Sequence, residues 1–349
     1  MPSPHNGVFA KRGRAFRLSR RLASYGVPLV RRTGFMRRLY RPFLESLRTP
    51  HIAFEIERLS PLFAGYRIAQ VSDIHAGLST SAHELRSLVE IINDARPDLI
   101  VLTGDLISYG SADLPYLLPM LESLRARDGL FAVPGNHEYF SHDAERVIAA
   151  YEGVGVRVLR NSSVRIVRRR HGLTGSLLFA GIDDGEEGRP SIEQALAGRR
   201  EGEPAVLLAH EPDAVFLATR HDVDLQLSGH THGGQIRLPI LGAPLTCSPA
   251  GFVSGLYRVG CTHLYVSRGV GAVTLPCRIG APPEVPLVEL QPQALTRVRL
   301  RRGLTRVRLR RGLTRVRLRR GLTRVRLRRG RASPHGAPRG ESRRERSCA

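Results

Sequence analysis

Apolar residues in the middle of the chain come in short unbroken runs, each stopped by a polar or glycine-rich segment. Residues 66–72, 99–103 and 130–133 read as buried strands. Between the first two, residues 81–95 carry Leu85, Leu88, Val89 and Ile92 at helical spacing. Residues 114–124 read as a second helix and 143–151 as a third. Strands that alternate with helices indicate an α/β fold with much parallel sheet. The second half is richer in strands, at 164–167, 177–182, 205–209, 223–227, 264–267 and 285–290. That number of strands predicts a two-sheet mixed β-sandwich flanked by helices, a four-layer α/β arrangement.

Each early strand releases polar residues at its carboxyl end, the end at which open α/β sheets bind ligands. The first strand delivers Asp73 and His75, and the second delivers Gly104-Asp105. The third runs into Pro134-Gly135-Asn136-His137-Glu138. The strand at 205–209 ends at His210, and that at 223–227 leads into Gly229-His230-Thr231-His232-Gly233-Gly234-Gln235. His230 and His232 alternate with Thr231, so an extended backbone would point both rings the same way. Carboxylate and amide oxygens mixed with imidazoles, without a thiolate, suit manganese, iron or zinc better than calcium or magnesium. A single D-x-H arises often by chance, and a lone buried histidine is more often core than ligand. Eight such residues in order, each after an apolar strand, are not explained that way.

Charge divides the chain further. Of its 349 residues 42% are hydrophobic, enough for a sizeable core. Residues 1–50 carry net +11 and residues 295–349 net +19, so a total of +23 leaves −7 for the middle. The expected organisation is a basic amphipathic leader over 1–55, a globule over 56–293 and an arginine-rich tail over 294–349. In the leader, apolar stretches are broken by Arg20-Arg21 and Arg31-Arg32, which excludes a membrane span or signal peptide within it. Phe16, Leu18, Leu22, Phe35 and Leu39 interleaved with arginine suit either a segment lying on an anionic membrane or a disordered leader. The tail repeats Leu-Thr-Arg-Val-Arg-Leu-Arg-Arg-Gly four times, from Leu295, Leu304, Leu313 and Leu322. Sixteen arginines in the repeats repel one another, so the tail reads as disordered or only locally ordered. It would bind nucleic acid or anionic lipid non-specifically. Cys247, Cys261, Cys277 and Cys348 show no paired spacing and read as isolated reduced thiols. These features place the protein in the cytoplasm, peripheral to the inner face of the plasma membrane.

The ordered series D-x-H, G-D, G-N-H-E, a lone histidine and G-H-T-H resembles the calcineurin-like metallophosphoesterase superfamily, over roughly residues 66–290. V-P-G-N-H-E (133–138), L-A-H-E-P-D (208–213), D-L-x-L-S-G-H-T-H-G-G-Q-I-x-L-P (224–239) and L-Y-V-S-R-G-V-G (264–271) resemble a bacterial subgroup of membrane-associated phosphodiesterases. Some relatives of that subgroup cleave the pyrophosphate of UDP-diacylglucosamine. The resemblance implies two divalent cations, manganese first and iron or zinc as alternatives. Asp73, His75 and His232 would bind one, Asn136, His210 and His230 the other, and Asp105 would bridge them. It further implies attack of a metal-bridging hydroxide on a phosphodiester or pyrophosphate, lipid-linked or nucleotide, with His137 as general acid. Two departures stand out. Leu106-Ile107-Ser108 follows the G-D where many relatives have an acid, and residues 104–110 and 134–138 do not match the protein serine/threonine phosphatases. The competing expectation is a polyanion-binding protein whose metallophosphoesterase globule is not catalytic.

Overall fold

The computed structural model describes residues 8–9, 45–77, 80, 82–140, 142–238, 242–243, 247–273 and 277–293, with short backbone segments at 297–300, 303–306, 316–318 and 321–323. The chain divides into one unit over Met1–Pro292 and a second over Gln293–Ala349.

In the first unit, β1 (His51–Ile56), β2 (Tyr66–Val71), β3 (Leu99–Thr103), β4 (Leu130–Val133), β5 (Val156–Val158) and a late strand, Leu287–Pro292, form one six-stranded sheet. The helices α1 (Ala82–Asp94), α2 (Leu114–Ser123) and α3 (Ala144–Gly153) connect β2 to β5, which run parallel. The other sheet contains β6 (Ser162–Arg170), β7 (Leu173–Gly181), β8 (Ala205–Leu208), β9 (Leu225–Ser228), β10 (Gly255–Val259) and β11 (Thr262–Val266), in the order β10-β11-β9-β8-β7-β6. There β11, β9, β8 and β7 are parallel, while β10 and β6 are antiparallel edges. Two short helices, α4 (Ile192–Leu196) and α5 (Val215–Ala218), lie on this half. The late strand Leu287–Pro292, here β12, sits between β1 and β2 in the first sheet.

The unbroken apolar runs follow from burial on both faces. Along β3, Leu99 and Val101 face the second sheet, packing with Phe179, Val206 and Leu227. Ile100 and Leu102 face the helices, with Leu88, Ile92, Leu117 and Val147. The second sheet does the same. Val206 and Leu208 enter the layer between sheets, whereas Leu207 and Ala209 join α4 and α5 through Ile192, Ala195 and Ala218. The result is helix, sheet, sheet, helix, as the strand and helix pattern predicts. Phe179 is fully buried between the rings of Tyr66 and Phe131, with centroids 6.3 and 5.8 Å away. Burying such a side chain contributes about 1.5–3 kcal/mol.

The first sheet recruits His51–Ile56, all but the last of which the sequence reading places in the leader. Phe54 and Ile56 are buried and alternate with exposed Ala53 and Glu55, a period-two signal only six residues long. β10 and β5 are likewise absent from the sequence reading. An edge strand buries one face or very few residues, so its apolar pattern is weak. Most of the leader lies outside the described residues, although Phe9 is buried beside Ile182 and Ile192. Cys277 is a free thiol but Cys261 is disulfide-bonded, which corrects the reading of four isolated thiols. No helix among the described residues is long and apolar enough to cross a membrane.

The second unit contains two separate two-stranded antiparallel ladders, Arg297–Leu300 with Gly303–Arg306 and Val316–Leu318 with Gly321–Thr323. Each pairs the alternating Arg and apolar part of one repeat with the glycine that closes that repeat and the Leu-Thr that opens the next. The remainder of the tail, on which the expectation of disorder falls, lies outside the described residues.

Candidate metal centre

The loops after β2, β3, β8, β9 and β11 are tied together by backbone hydrogen bonds. The N–H of Asp73 donates to Gly104 O (3.0 Å), that of His75 to Asp105 O (3.2 Å), and that of Gly229 to His210 O (3.1 Å). Gln70 joins the two sheets beneath them, its amide donating to Thr103 Oγ1 (3.1 Å) and Ser228 O (2.9 Å). Asp73, His75, Asp105, His230 and His232 all hold positive φ, between 49° and 70°. A non-glycine residue in the left-handed region costs about 1–3 kcal/mol, and such residues gather at functional sites. Gly104 is required on this scaffold. It has a φ of 87°, and a Cβ there would collide with His210 Nδ1 and the backbone of Gly135.

All eight residues singled out by the sequence are buried at this rim. Asp73, His75 and His232 form one acid–imidazole cluster, and Asp105, His210 and His230 form another. His75, Asp105 and His137 form a third that overlaps both. Asp105 Oδ2 lies 3.3 Å from His210 Nε2, 3.8 Å from His75 Nε2 and 3.8 Å from His137 Nε2. Asp73 Oδ1 lies 3.4 Å from His232 Nε2. Asn136 is buried in the turn after β4, and its Oδ1 has no hydrogen-bond partner. The imidazole nitrogens face one another at 3.2 Å for His75 Nε2 and His232 Nε2, and at 3.0 Å for His210 Nε2 and His230 Nδ1.

His230 and His232 do not point the same way. β9 ends at Ser228, and φ values of 70° and 52° at the two histidines turn the backbone away from extended geometry. The rings therefore enter different clusters, one with Asp105 and His210, the other with Asp73 and His75.

The outer nitrogens orient several rings. His210 Nδ1 lies 2.8 Å from Thr103 O, and His137 Nδ1 lies 2.8 Å from Ser108 O. Donation there turns each Nε2 inward, and for His210 this is the orientation usual for a ligating histidine once a cation replaces the Nε2 proton. Burial holds the pKa values of His75 and His232 well below the ordinary imidazole value, with neighbouring cations adding to it, so both rings are neutral. Burial would raise Asp105, but the charges of His210 and His137 outweigh it and keep that carboxyl well below the usual range. Burial lowers His210, yet Asp105 beside it raises its pKa well above the ordinary value. Neutral imidazoles, an ionised carboxylate and an unpartnered amide oxygen converge in one buried rim. This donor set fits divalent cations that accept mixed oxygen and nitrogen ligands.

Three further residues complete the site. Glu138 braces the backbone at Asp105, where the sequence leaves no acid after Gly104-Asp105. Its carboxylate accepts the N–H groups of Asp105 (3.0 Å), Leu106 (2.9 Å) and Gly135 (2.8 Å) and the hydroxyl of Tyr151 (3.1 Å). Burial and the charge of Asp105 push its pKa up to about 7. Asp113 accepts the N–H groups of Ser108 (2.9 Å) and Tyr109 (2.7 Å), which holds the loop whose Ser108 carbonyl faces His137. Arg278 reaches the outer nitrogen of His232. Glu138 lies inside the segment 133–138 already singled out in the sequence. Neither Asp113 nor Arg278 carries a local signal there.

A calcineurin-like phosphoesterase family model matches residues 66–234. The chain is 36% identical over 234 residues to the uncharacterized metallophosphoesterase YkuE of Bacillus subtilis, covering 66% of this chain and 80% of that protein. It is 34% identical over 253 residues to a transmembrane protein with metallophosphoesterase domain from Bos taurus, covering 68% of this chain and 55% of that protein. Among solved structures, a dimetal phosphatase from Danio rerio aligns with a TM-score of 0.41 at 13% identity, over 60% of this chain and 88% of that one.

Proposed function

The chain belongs to the calcineurin-like metallophosphoesterases, metal-dependent phosphoester hydrolases, and on that premise we propose that it hydrolyses a phosphodiester or pyrophosphate on two divalent cations, manganese before iron or zinc. The observation that carries this reading is the position of Asp105, which clusters with His210 and His230 on one side and with His75 and His137 on the other. Asp73, His75 and His232 would hold one cation, Asn136, His210 and His230 the other, with Asp105 between them. Bound there, the cations would supply Lewis-acid charge and lower the pKa of water to near neutrality.

The chain's own groups do the rest. Asp105 and Asp73 balance positive charge, and the neutral ring of His75 can offer a lone pair without first losing charge. His137 stands beside the cluster with Nε2 facing inward, in place to hand a proton to a departing alkoxide. The departures at 104–110 and 134–138 speak against a protein phosphatase. The expected test is direct. Purified protein should carry two metal equivalents, chelation should abolish hydrolysis of bis-p-nitrophenyl phosphate, and manganese should restore it best. Full turnover in a preparation shown to be metal-free would rule the reading out. Two bound metals with no turnover on any diester would favour the polyanion-binding alternative.

The reading extends to a lipid-linked or nucleotide substrate met at the cytoplasmic face of an anionic membrane. Its support is the charge partition, and the Bos taurus relative is named a transmembrane protein. Polybasic segments gain about 1 kcal/mol per Lys or Arg near such a surface. The full chain should co-sediment with anionic vesicles at low salt and far less at high salt, whereas residues 45–293 alone should not. Equal sedimentation of the two would show that the basic ends are not the anchor.

A further inference from the structure

Arg278 is 4% exposed, yet it forms no ion pair among the described residues. The partly exposed Arg165 and Arg268 of this half do pair with carboxylates, Glu203 and Glu284. Arg278 instead spends its fork on neutral acceptors. Nε donates to Gly271 O (2.8 Å), joined there by Nη2. Nη1 donates to His232 O (3.1 Å) and Ala281 O (3.2 Å), and Nη2 lies 3.1 Å from His232 Nδ1. A guanidinium only donates, so Nδ1 accepts and the proton of the neutral ring sits on Nε2; the contact that does not depend on the tautomer is the one to His232 O. A buried cation without a carboxylate is costly, and a side chain kept under that cost has a specific task.

The partners show the task. Gly271 N–H donates to Asp73 O (2.6 Å), and Val270 N–H donates to Ser72 O (3.0 Å). The loop 269–271 therefore grips the backbone that carries Asp73. By holding Gly271 O and both the carbonyl and the ring of His232, Arg278 joins the Asp73 loop to the His232 turn. These two residues face each other at 3.4 Å across one cluster. No hydrogen bond of Arg278 reaches Asn136, His210 or His230, the donors of the other. His232 also differs from His210 and His137, whose outer nitrogens meet carbonyl oxygens. Its ring is set by a fork that belongs to another loop.

We infer that Arg278 is a positioning residue that, through Gly271 O and His232 O, sets the His232 turn and the Asp73 loop against each other for one of the two cations and not for the other. The inference rests on the two-cation reading above. Two effects of the guanidinium oppose each other. Its charge repels a cation beyond the ring, and its fork holds two ligands in register. Three carbonyls and a ring nitrogen drawn from separate segments demand a planar fork, which a lysine ammonium cannot reproduce. If positioning dominates, charge-keeping and charge-removing substitutions fail alike.

The experiment is titration of the metal-free full-length chain with Mn²⁺ alone, followed by calorimetry, for wild type, Arg278→Lys and Arg278→Met. Wild type should bind two equivalents. Both variants should weaken one of them by about 10–100-fold, the range for residues that orient metal ligands, and leave the other within about threefold. Thermal melts of the metal-free proteins report folding, and Arg278→Lys remains informative if the Met variant does not fold. Equal weakening of both equivalents, or of neither, overturns the inference. A wild-type affinity in the Lys variant with tighter binding in the Met variant also overturns it, because charge rather than geometry would then govern the site. Failure of wild type to bind any Mn²⁺ would instead remove the two-cation reading itself, and this inference with it.

Discussion

Replacing Asp105 by asparagine should lower turnover on bis-p-nitrophenyl phosphate by at least about 10³-fold and reduce bound metal below two equivalents. The substitution keeps the shape of the side chain and removes its charge. In the native site His137 N–H donates to Oδ1 (2.8 Å), and Oδ2 faces the imidazoles of His210, His75 and His137. No other carboxylate among the described residues belongs to two of the clusters. A metal supplies several kcal/mol of charge stabilisation, and at 1.36 kcal/mol per tenfold a loss of about 4 kcal/mol is 10³-fold. Metal analysis beside the rate assay separates causes. A variant that retains both metals and loses only rate would make Asp105 an electrostatic residue instead of a shared ligand. A variant with unchanged turnover would defeat the assignment altogether.

The second large effect is expected at His137. His137→Ala should cut turnover by about 10²–10⁴-fold on diesters with poorly departing alkoxides, as loss of a general acid does. The reduction should be much smaller on p-nitrophenyl esters, because p-nitrophenolate leaves without a proton. The geometry gives the reason. Nδ1 sits 2.8 Å from Ser108 O, so a proton to be transferred belongs on Nε2. Nε2 is 3.8 Å from Asp105 Oδ2 and so faces the cluster. The ring also stacks near Phe140, at 3.9 Å between centroids, and meets His75 edge-on at 4.5 Å. Truncation therefore removes packing too, which a thermal melt would record. Equal losses on both ester types would mark His137 as a structural residue.

The overlap between sequence and structure has a physical pattern. β3 and β4 coincide with their apolar runs because both faces are buried, so no polar alternation blurs them. β1 and β10 escaped because each is an edge strand that is partly exposed. The polar residues at the strand ends were legible as a set, since oxygen and imidazole donors after successive buried strands have little other use. Their orientation was not. His230 and His232 were expected to share a direction, but the chain leaves extended geometry at the two histidines themselves, whose φ values are 70° and 52°.

What the sequence by itself determined is therefore local: the period of its apolar positions, the residue types that end each strand, and the sign of the charge on each segment. These are properties of neighbours along the chain, and periodicity with side-chain chemistry carries them completely. Tertiary structure decided which of these groups meet. His230 N–H donates to Asp73 across 157 positions of sequence, and Arg278 reaches His232 across 46. Glu138 braces the backbone 32 and 33 positions away by accepting the N–H groups of Leu106 and Asp105. Such meetings depend on the order of strands in two sheets and on the left-handed turns at their ends. No short window of sequence contains that order, because strand pairing is chosen by the burial of the whole interlayer core.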